Sequence, residues 1–327
     1  MTLALVDNAG NQLIVRMEEY VFGPVVSRRL GRSLGIDPIP QKTCNWNCVY
    51  CQLGRTTPLV NERAEYAPAE EIVSQTVKAV ESTGSENIDW ITFAGSGEPT
   101  LHTRLGWMIR QIQSSINLPI AILTNGTLLY LPEVREAIET ADAVSPNLDA
   151  GSKGLFRKIN RPHPEVTFDR LIEGLIAFRK EYSGKLWIET VLIKGLNDSE
   201  EALRDLAAVI ERIGPDKVHL NRPTRPPSEE WVEPVDEEGL MRARAILGEV
   251  TEIVHESTES TDLSGFNNAV EAIIAIVTRH PMSQVEIERA LGDKFSGDIE
   301  GVLADLETNG KIQAVVRFGS RFWRPML

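Results

Sequence analysis

The sequence predicts an α/β protein: an open, partial (βα)6 parallel barrel followed by a small C-terminal winged-helix-like unit. Three observations predict it. Short apolar runs alternate with amphipathic stretches from residue 68 to residue 247, the pattern of parallel βα units with buried strands. The chemically unusual residues fall directly after the apolar runs, where such folds keep their working face. A Ser/Thr/Glu-rich stretch at residues 256–264 reads as a linker, which divides the chain into residues 1–255, a linker at 256–266 and a unit at 267–327.

Residues 13–17 open the chain as a strand. Gly23-Pro24-Val25-Val26-Ser27-Arg28-Arg29-Leu30-Gly31-Arg32 sets three arginines among glycines and a proline, which predicts a loop. Residues 33–36 form a short strand that leads into Asp37-Pro38-Ile39-Pro40. Pro68 starts a helix with Ile72, Val73, Val77 and Val80 on one face. Strands follow at 90–94, 120–124, 143–147, 186–192 and 218–221. Between and after them lie helices at 105–116, 132–140 and 171–178, one opened by a capping-box-like Asp198 and Glu201, and one at 240–247. Six strands are too few for a closed eight-stranded barrel.

In the tail, helices are predicted at 270–277, 282–291 with Gly292 as a stop, and 297–306 ended by Asn309-Gly310. Residues 312–316 and 322–323 then pair around Gly319-Ser320. Three helices and a hairpin resemble a winged helix-turn-helix, whose third helix would read DNA. That helix carries Asp298, Glu300, Asp305 and Glu307, and no Lys or Arg before Lys311. Over 267–327 there are seven Lys/Arg against eight Asp/Glu. Such a helix repels phosphate, so sequence-specific DNA is not expected, and a docking module for substrate or partner is. Arg317, Arg321 and Arg324 on the hairpin keep nucleic acid open.

The apolar fraction of 42% supports a packed core. The longest apolar runs, such as 272–277, are far too short to span a bilayer. Asp7 and Asn8 interrupt the first apolar stretch, so it lacks the form of a signal peptide. Cysteines held as thiolates call for a reducing compartment. The expectation is a soluble cytoplasmic protein with no membrane contact. A net charge of −13 argues against non-specific nucleic-acid binding by the chain as a whole.

The three cysteines all lie in Cys44-Asn45-Trp46-Asn47-Cys48-Val49-Tyr50-Cys51. Soft thiolates select zinc or iron–sulfur clusters. A structural zinc site closes with four ligands, and so does an electron-transfer cluster. Three sulfurs therefore point to one 4Fe-4S cluster with an iron left open for chemistry. The alternative is a zinc knuckle completed by histidine, and the nearest histidine in sequence is His102.

This stretch resembles the cluster loop of the radical S-adenosylmethionine (SAM) enzymes. The resemblance implies that the open iron chelates the amino and carboxylate groups of S-adenosylmethionine. Reductive cleavage then releases a 5′-deoxyadenosyl radical that abstracts hydrogen, with electrons from a donor such as flavodoxin or ferredoxin. It also implies the partial-barrel core. Tyr50, just before the last cysteine, is assigned with the cofactor. Gly95-Ser96-Gly97-Glu98-Pro99 is similar to the family's Gly-Gly-Glu-Pro motif, which meets the methionine amino group; here Ser96 breaks the first glycine pair. Thr124, Asn125, Ser145 and Asp149 occupy places where the family holds the ribose and the methionine carboxylate.

Residues 20–54, with Ser27-Arg28-Arg29-Leu30-Gly31 and Cys51-Gln52-Leu53-Gly54, narrow the likeness to a group related to 4-demethylwyosine synthase, which rebuilds a guanine in tRNA. The likeness covers residues 20–255. The wyosine enzyme needs further cysteines for a second cluster, and this chain has none. That departure leaves the reaction open and argues against auxiliary-cluster peptide maturases. Arg28, Arg29, Arg32, Arg157, Arg161, Arg222 and Arg225 fall on the loops assigned to the working face. Guanidinium forks bind phosphate and carboxylate, so the expected substrate is anionic, tRNA or a nucleotide among the candidates. The alternatives are radical modification of a peptide or protein and an iron–sulfur regulator that binds DNA.

Overall fold

The structure is a computed structural model that describes residues 2–6, 12–16, 20–255, 269–291 and 298–326. The linker read at 256–266 lies outside the described residues. β1 (Thr2–Val6) and β2 (Gln12–Arg16) pair antiparallel as a separate ribbon.

The main sheet has eight strands where the sequence shows six. They are β3 (Val21–Ser27), β4 (Gly31–Ile36), β5 (Trp90–Phe93), β6 (Ile120–Thr124), β7 (Ala143–Pro146), β8 (Lys185–Val191), β9 (Lys217–Asn221) and β10 (Thr251–Ile253). They lie side by side in chain order, β3 antiparallel to β4 and the rest parallel. The sheet is not closed; β3 and β10 are its edges. The run 23–32, read as a loop, instead forms most of β3 and the start of β4. Pro24 sits at a bulge of the edge strand, where a missing N–H costs no ladder bond. The Phe22 ring covers Gly35, where a Cβ would come within 2.2 Å of the ring.

Helices α1 (Ala69–Thr83), α2 (Leu105–Ser115), α3 (Pro132–Ile138), α4 (Lys153–Ile159), α5 (Phe168–Glu181), α6 (Glu200–Ile213) and α7 (Glu237–Leu247) link the strands. Each crossover returns to the neighbouring strand, and crossovers of one hand put their helices on one face. Leu34, Ile36, Ile91, Phe93, Ile122, Val144, Ile188 and Leu220 are buried against that layer with Ile72, Met108, Leu175 and Leu206. Caps set the helix starts: Thr167 accepts from Arg170 N–H, Ser199 from Ala202 N–H and Asp236 from Gly239 N–H. The cap of α6 is thus Ser199 rather than Asp198, whose carboxylate accepts from Gly195 N–H. Lys153, Arg157 and Lys158 lie on α4, not on a loop.

The C-terminal part contains α8 (Ala269–Arg279), β11 (Met282–Ser283), α9 (Gln284–Leu291), α10 (Ile299–Thr308), β12 (Ile312–Arg317) and β13 (Ser320–Pro325). Its sheet runs β11-β13-β12 over a core that includes Ile273, Val277, Ile287, Leu303 and Trp323. The helix read from 282 starts at Gln284. Met282 and Ser283 pair with β13, and Ser283 caps α9 in a reciprocal box: its N–H donates to Glu286 at 2.7 Å, and its hydroxyl accepts from Glu286 N–H at 3.3 Å.

Candidate active site

The cysteines lie on the loop after β4. Trp46 anchors it, 2% exposed and edge-on to Phe156 of α4 with ring centres 5.5 Å apart. Val49 N–H donates to Ile159 O (2.9 Å) and Asn47 N–H to Asn160 O (3.0 Å), so the end of α4 holds the loop from one side. Ser228 holds Cys48 O from another (2.8 Å).

Every cysteine sulfur has an N–H donor. Cys44 Sγ accepts from Trp46 N–H (3.4 Å) and Asn125 Nδ2 (3.8 Å), Cys48 Sγ from Asn160 Nδ2 (3.7 Å), and Cys51 Sγ from Lys42 Nζ (3.1 Å). Burial pushes the Cys44 thiol up to about 12 and Cys48 well above its usual value. A bound metal centre offsets this cost, because its ligating cysteines are thiolates. Among the described residues no three His, Cys, Asp or Glu side chains gather around a single-ion position. Three cysteine sulfurs, each with an N–H donor, fit an iron–sulfur cluster, which is held by thiolates and tuned by hydrogen bonds to its sulfurs.

The loop after β5 lies directly against the cysteine loop. Lys42 N–H donates to Ser96 O (2.8 Å) and Glu98 N–H to Thr43 O (2.9 Å). A Cβ on Gly97 would stand 1.9 Å from Thr43 O, so only glycine permits this approach. Glu98 is 1% exposed. Its two oxygens accept from Thr100 N–H (3.0 Å), Thr100 Oγ1 (2.6 Å), Thr124 Oγ1 (2.6 Å) and Asn125 N–H (2.7 Å). Burial raises this carboxyl while those donors pull it back. The carboxylate thus joins the loops after β5 and β6. Pro99 opens a short buried turn behind it.

Thr124 and Asn125 are also held by the protein. Asn125 Nδ2 donates to Asn45 Oδ1 (2.6 Å), while its Oδ1 accepts from Thr127 N–H (3.0 Å). Asp149 accepts from Tyr50 OH (2.6 Å), Asn160 Nδ2 (2.7 Å) and Val191 N–H (2.9 Å), and burial moves its carboxyl to about 6. Ser145 differs: it is buried, and its hydroxyl has no partner among the described residues. Asn45 and Asn160, which sequence reasoning missed, join these loops. Asn45 sits inside the cysteine motif and could have been noticed there; Asn160 carries no sequence signal.

The sheet face away from the helices is a second wall. At its base Leu30 packs with Ala121 and Ala143 beside Trp90 and Trp187, whose rings meet edge-on at 5.7 Å. Above them Glu189 pairs with Arg29 and accepts from Asn221 Nδ2 (2.9 Å). His219 lies beside Glu189 in register, and burial pushes its imidazole down to about 4, with Arg29 adding to the effect. His219 Nδ1 and Asn221 Oδ1 are buried without a hydrogen-bond partner among the described residues.

Most of the arginines that the sequence sets toward the substrate pair with carboxylates. Arg29 pairs with Glu189, Arg32 with Asp89, Arg161 with Glu229, Arg222 with Glu237 and Arg225 with Glu286. Arg28 is engaged as well. Arg157 is exposed along a groove of about 540 Å3 with Lys153, Arg161 and His163. A larger surface cavity, about 680 Å3, borders Pro119, Asp142 and Asp216 at the N-terminal ends of the strands, away from the cysteines.

Residues 39–207, just over half of the chain, match the radical SAM superfamily. The chain belongs to the radical SAM superfamily. It is therefore an enzyme, and membership brings with it an iron–sulfur cluster and S-adenosylmethionine. It also belongs to the UPF0026 proteins: one from Methanocaldococcus jannaschii is 37% identical over 311 residues, 92% of this chain and 97% of the relative. A Brachyspira hyodysenteriae protein named GTPase Obg is 45% identical over 224 residues, 68% of this chain but only 33% of that longer protein. A radical SAM methyltransferase from Sphaerobacter thermophilus shares the fold, with a TM-score of 0.55 and 20% identity over 68% of this chain and 66% of its own. Among the described residues no helix is long and apolar enough to cross a membrane.

Proposed function

We propose that Cys44, Cys48 and Cys51 hold a single 4Fe-4S cluster with one iron left for S-adenosylmethionine, and that the enzyme abstracts hydrogen from a substrate lodged against the inner sheet face. The observation that carries this is the backbone-to-backbone meeting of the cysteine loop with residues 96–98 at the C-terminal ends of the strands. When bound and reduced, the cluster and S-adenosylmethionine supply the 5′-deoxyadenosyl radical. The chain's own residues position and shield. Lys42, Asn125 and Asn160 direct N–H groups at the sulfurs. The backbone of residues 95–98 takes the methionine amino group, since the Glu98 carboxylate already accepts from four protein donors. Ser145, with its open hydroxyl, takes the cofactor's carboxylate or ribose. Thr124, Asn125 and Asp149 hold the loops that shape that space.

The inner wall bears on the substrate. The Arg29–Glu189 pair balances its own charge, His219 is neutral near pH 7, and Asn221 keeps a buried carbonyl oxygen unpaired among the described residues while its amide donates to Glu189. Buried polar atoms left unpaired, the Asn221 carbonyl oxygen among them, suit a polar group with N–H donors and no net charge. A nucleobase fits that description, with any phosphates outside the wall, and keeps tRNA or a nucleotide as the favoured substrate class. A peptide amide fits the same wall and is the alternative. The C-terminal part, which is winged-helix-like, serves as a docking module.

Anaerobic reconstitution should load about four irons per chain, as one 4Fe-4S centre requires. The reduced protein should release 5′-deoxyadenosine, and Cys48→Ala should lose both properties. About eight irons per chain would overturn the single-cluster assignment. Absence of 5′-deoxyadenosine from loaded, reduced protein would overturn the enzymatic one.

A further inference from the structure

Ser96 occupies the place of the first glycine in the Gly-Gly-Glu-Pro motif, and its hydroxyl has a specific partner. Asp37, the first residue after β4, is 6% exposed. Its Oδ1 accepts from Ser96 N–H (3.0 Å) and its Oδ2 from Ser96 Oγ (2.6 Å). The same Oδ2 is 3.4 Å from Nε of Arg279, the last residue of α8 in the C-terminal part. The Arg279 guanidinium also lies 5.4 Å from the centre of the Phe22 ring. One carboxylate thus joins the loop after β5 to a helix that arrives from far along the chain.

The same helix end reaches the other half of the cofactor cradle. Gln52, next to Cys51, donates to Arg279 O (3.4 Å) and lies 3.2 Å from His280 Nδ1. The following helix is clamped in turn, since Arg225 grips Glu286 with both arms at 2.5 and 2.6 Å. Neither half of the cradle needs a side chain from residues 269–326 for cofactor chemistry. Both reach one all the same: Asp37, the partner of Ser96, lies against Arg279, and Gln52 lies against His280.

We propose that Arg279 is a positioning residue. Through Asp37 and Ser96 it couples docking of the C-terminal part to the shape of the loop that receives S-adenosylmethionine. By reciprocity, S-adenosylmethionine strengthens that docking as much as the docking strengthens its own binding. The proposal goes beyond the function above and rests on residues 95–98 meeting the cofactor. It gives the C-terminal part a role in readying the site: a substrate or partner that moves α8 changes cofactor affinity without touching the cofactor.

The test uses full-length, cluster-loaded, oxidised protein and measures S-adenosylmethionine affinity by equilibrium dialysis, with iron content as a control. Arg279→Gln is expected to weaken binding by about fivefold or more, at the lower end of typical coupling. Arg279→Lys, which keeps the charge beside Asp37, recovers most of it. Ser96→Gly removes the hydroxyl bond but keeps the N–H bond to Asp37, so it weakens binding by a smaller factor, and the double variant Ser96→Gly with Arg279→Gln is no worse than Arg279→Gln alone, because both act on the same connection. Hydrogen exchange reads the reverse direction: S-adenosylmethionine slows exchange in α8 of the native protein and does so less in Ser96→Gly and not in Arg279→Gln. An unchanged affinity in Arg279→Gln, or single effects that simply multiply in the double variant, overturns the coupling. Loaded native protein that binds no S-adenosylmethionine overturns instead the assignment of residues 95–98.

Discussion

Glu98 accepts four protein hydrogen bonds on two oxygens while almost wholly buried. From sequence alone its carboxylate is assigned to the cofactor's ammonium group. The geometry makes it first a joint between the loops after β5 and β6. Glu98→Gln would turn an NH2 group toward the Asn125 N–H or the two threonine hydroxyls. An unsatisfied buried donor costs about 1–3 kcal/mol, and each kcal/mol lowers the melting temperature of a protein this size by about 1.5 °C. The variant should melt a few degrees lower without any cofactor present, by calorimetry of the metal-free protein. An unchanged melting temperature combined with weaker S-adenosylmethionine binding would return Glu98 to direct contact. The site cysteines were legible because soft ligands at close spacing need no tertiary information. Their side-chain amide donors were not legible as such, since Asn125 lies 81 and Asn160 112 residues from the sulfur each one faces.

At the scale of elements, the alternation of period-2 and period-3.6 patterns placed strands β4 to β9 correctly, because each pattern is local. The edges failed for a physical reason. β3 carries Gly23 and Pro24, residues that weaken a strand by every local measure and are tolerated where one side has no partner. β10 has only three residues, Thr251–Ile253, too few to show a period. The glycine of the loop after β5 tests the contact between the two loops. Gly97→Ala forces a Cβ into Thr43 O, so the cysteine loop must shift; the variant is expected to retain well under half of the native iron after reconstitution. Gly154→Ala is the contrast, since nothing lies within 4 Å of the added Cβ on α4. It should keep its iron and gain up to about 1 kcal/mol from helix propensity. Equal iron in both variants would show that the loops do not depend on this approach.

Over the whole molecule, 34 Lys and Arg face 47 Asp and Glu, and the arginines near the site are mostly matched to carboxylates. Too few cations are left together on that face to release the counterions that drive non-specific binding. Random duplex DNA should show no gel shift at physiological salt with micromolar protein, and a clear shift would revive the DNA-binding regulator. The sequence by itself determined the order of βα units, the three-sulfur ligand set, the glycine loop and the acidic balance, because these depend on residues adjacent in the chain. Only the tertiary structure decided which charges remain available. Arg29 meets Glu189 160 residues away and Arg225 meets Glu286 61 residues away. Such pairings are chosen by which strands and helices pack together, and a linear pattern of charges does not contain that choice. The connection from Arg279 through Asp37 to Ser96 has the same origin: Arg279 and Ser96 look unrelated in sequence and share the buried Asp37 carboxylate because the fold brings them to one place.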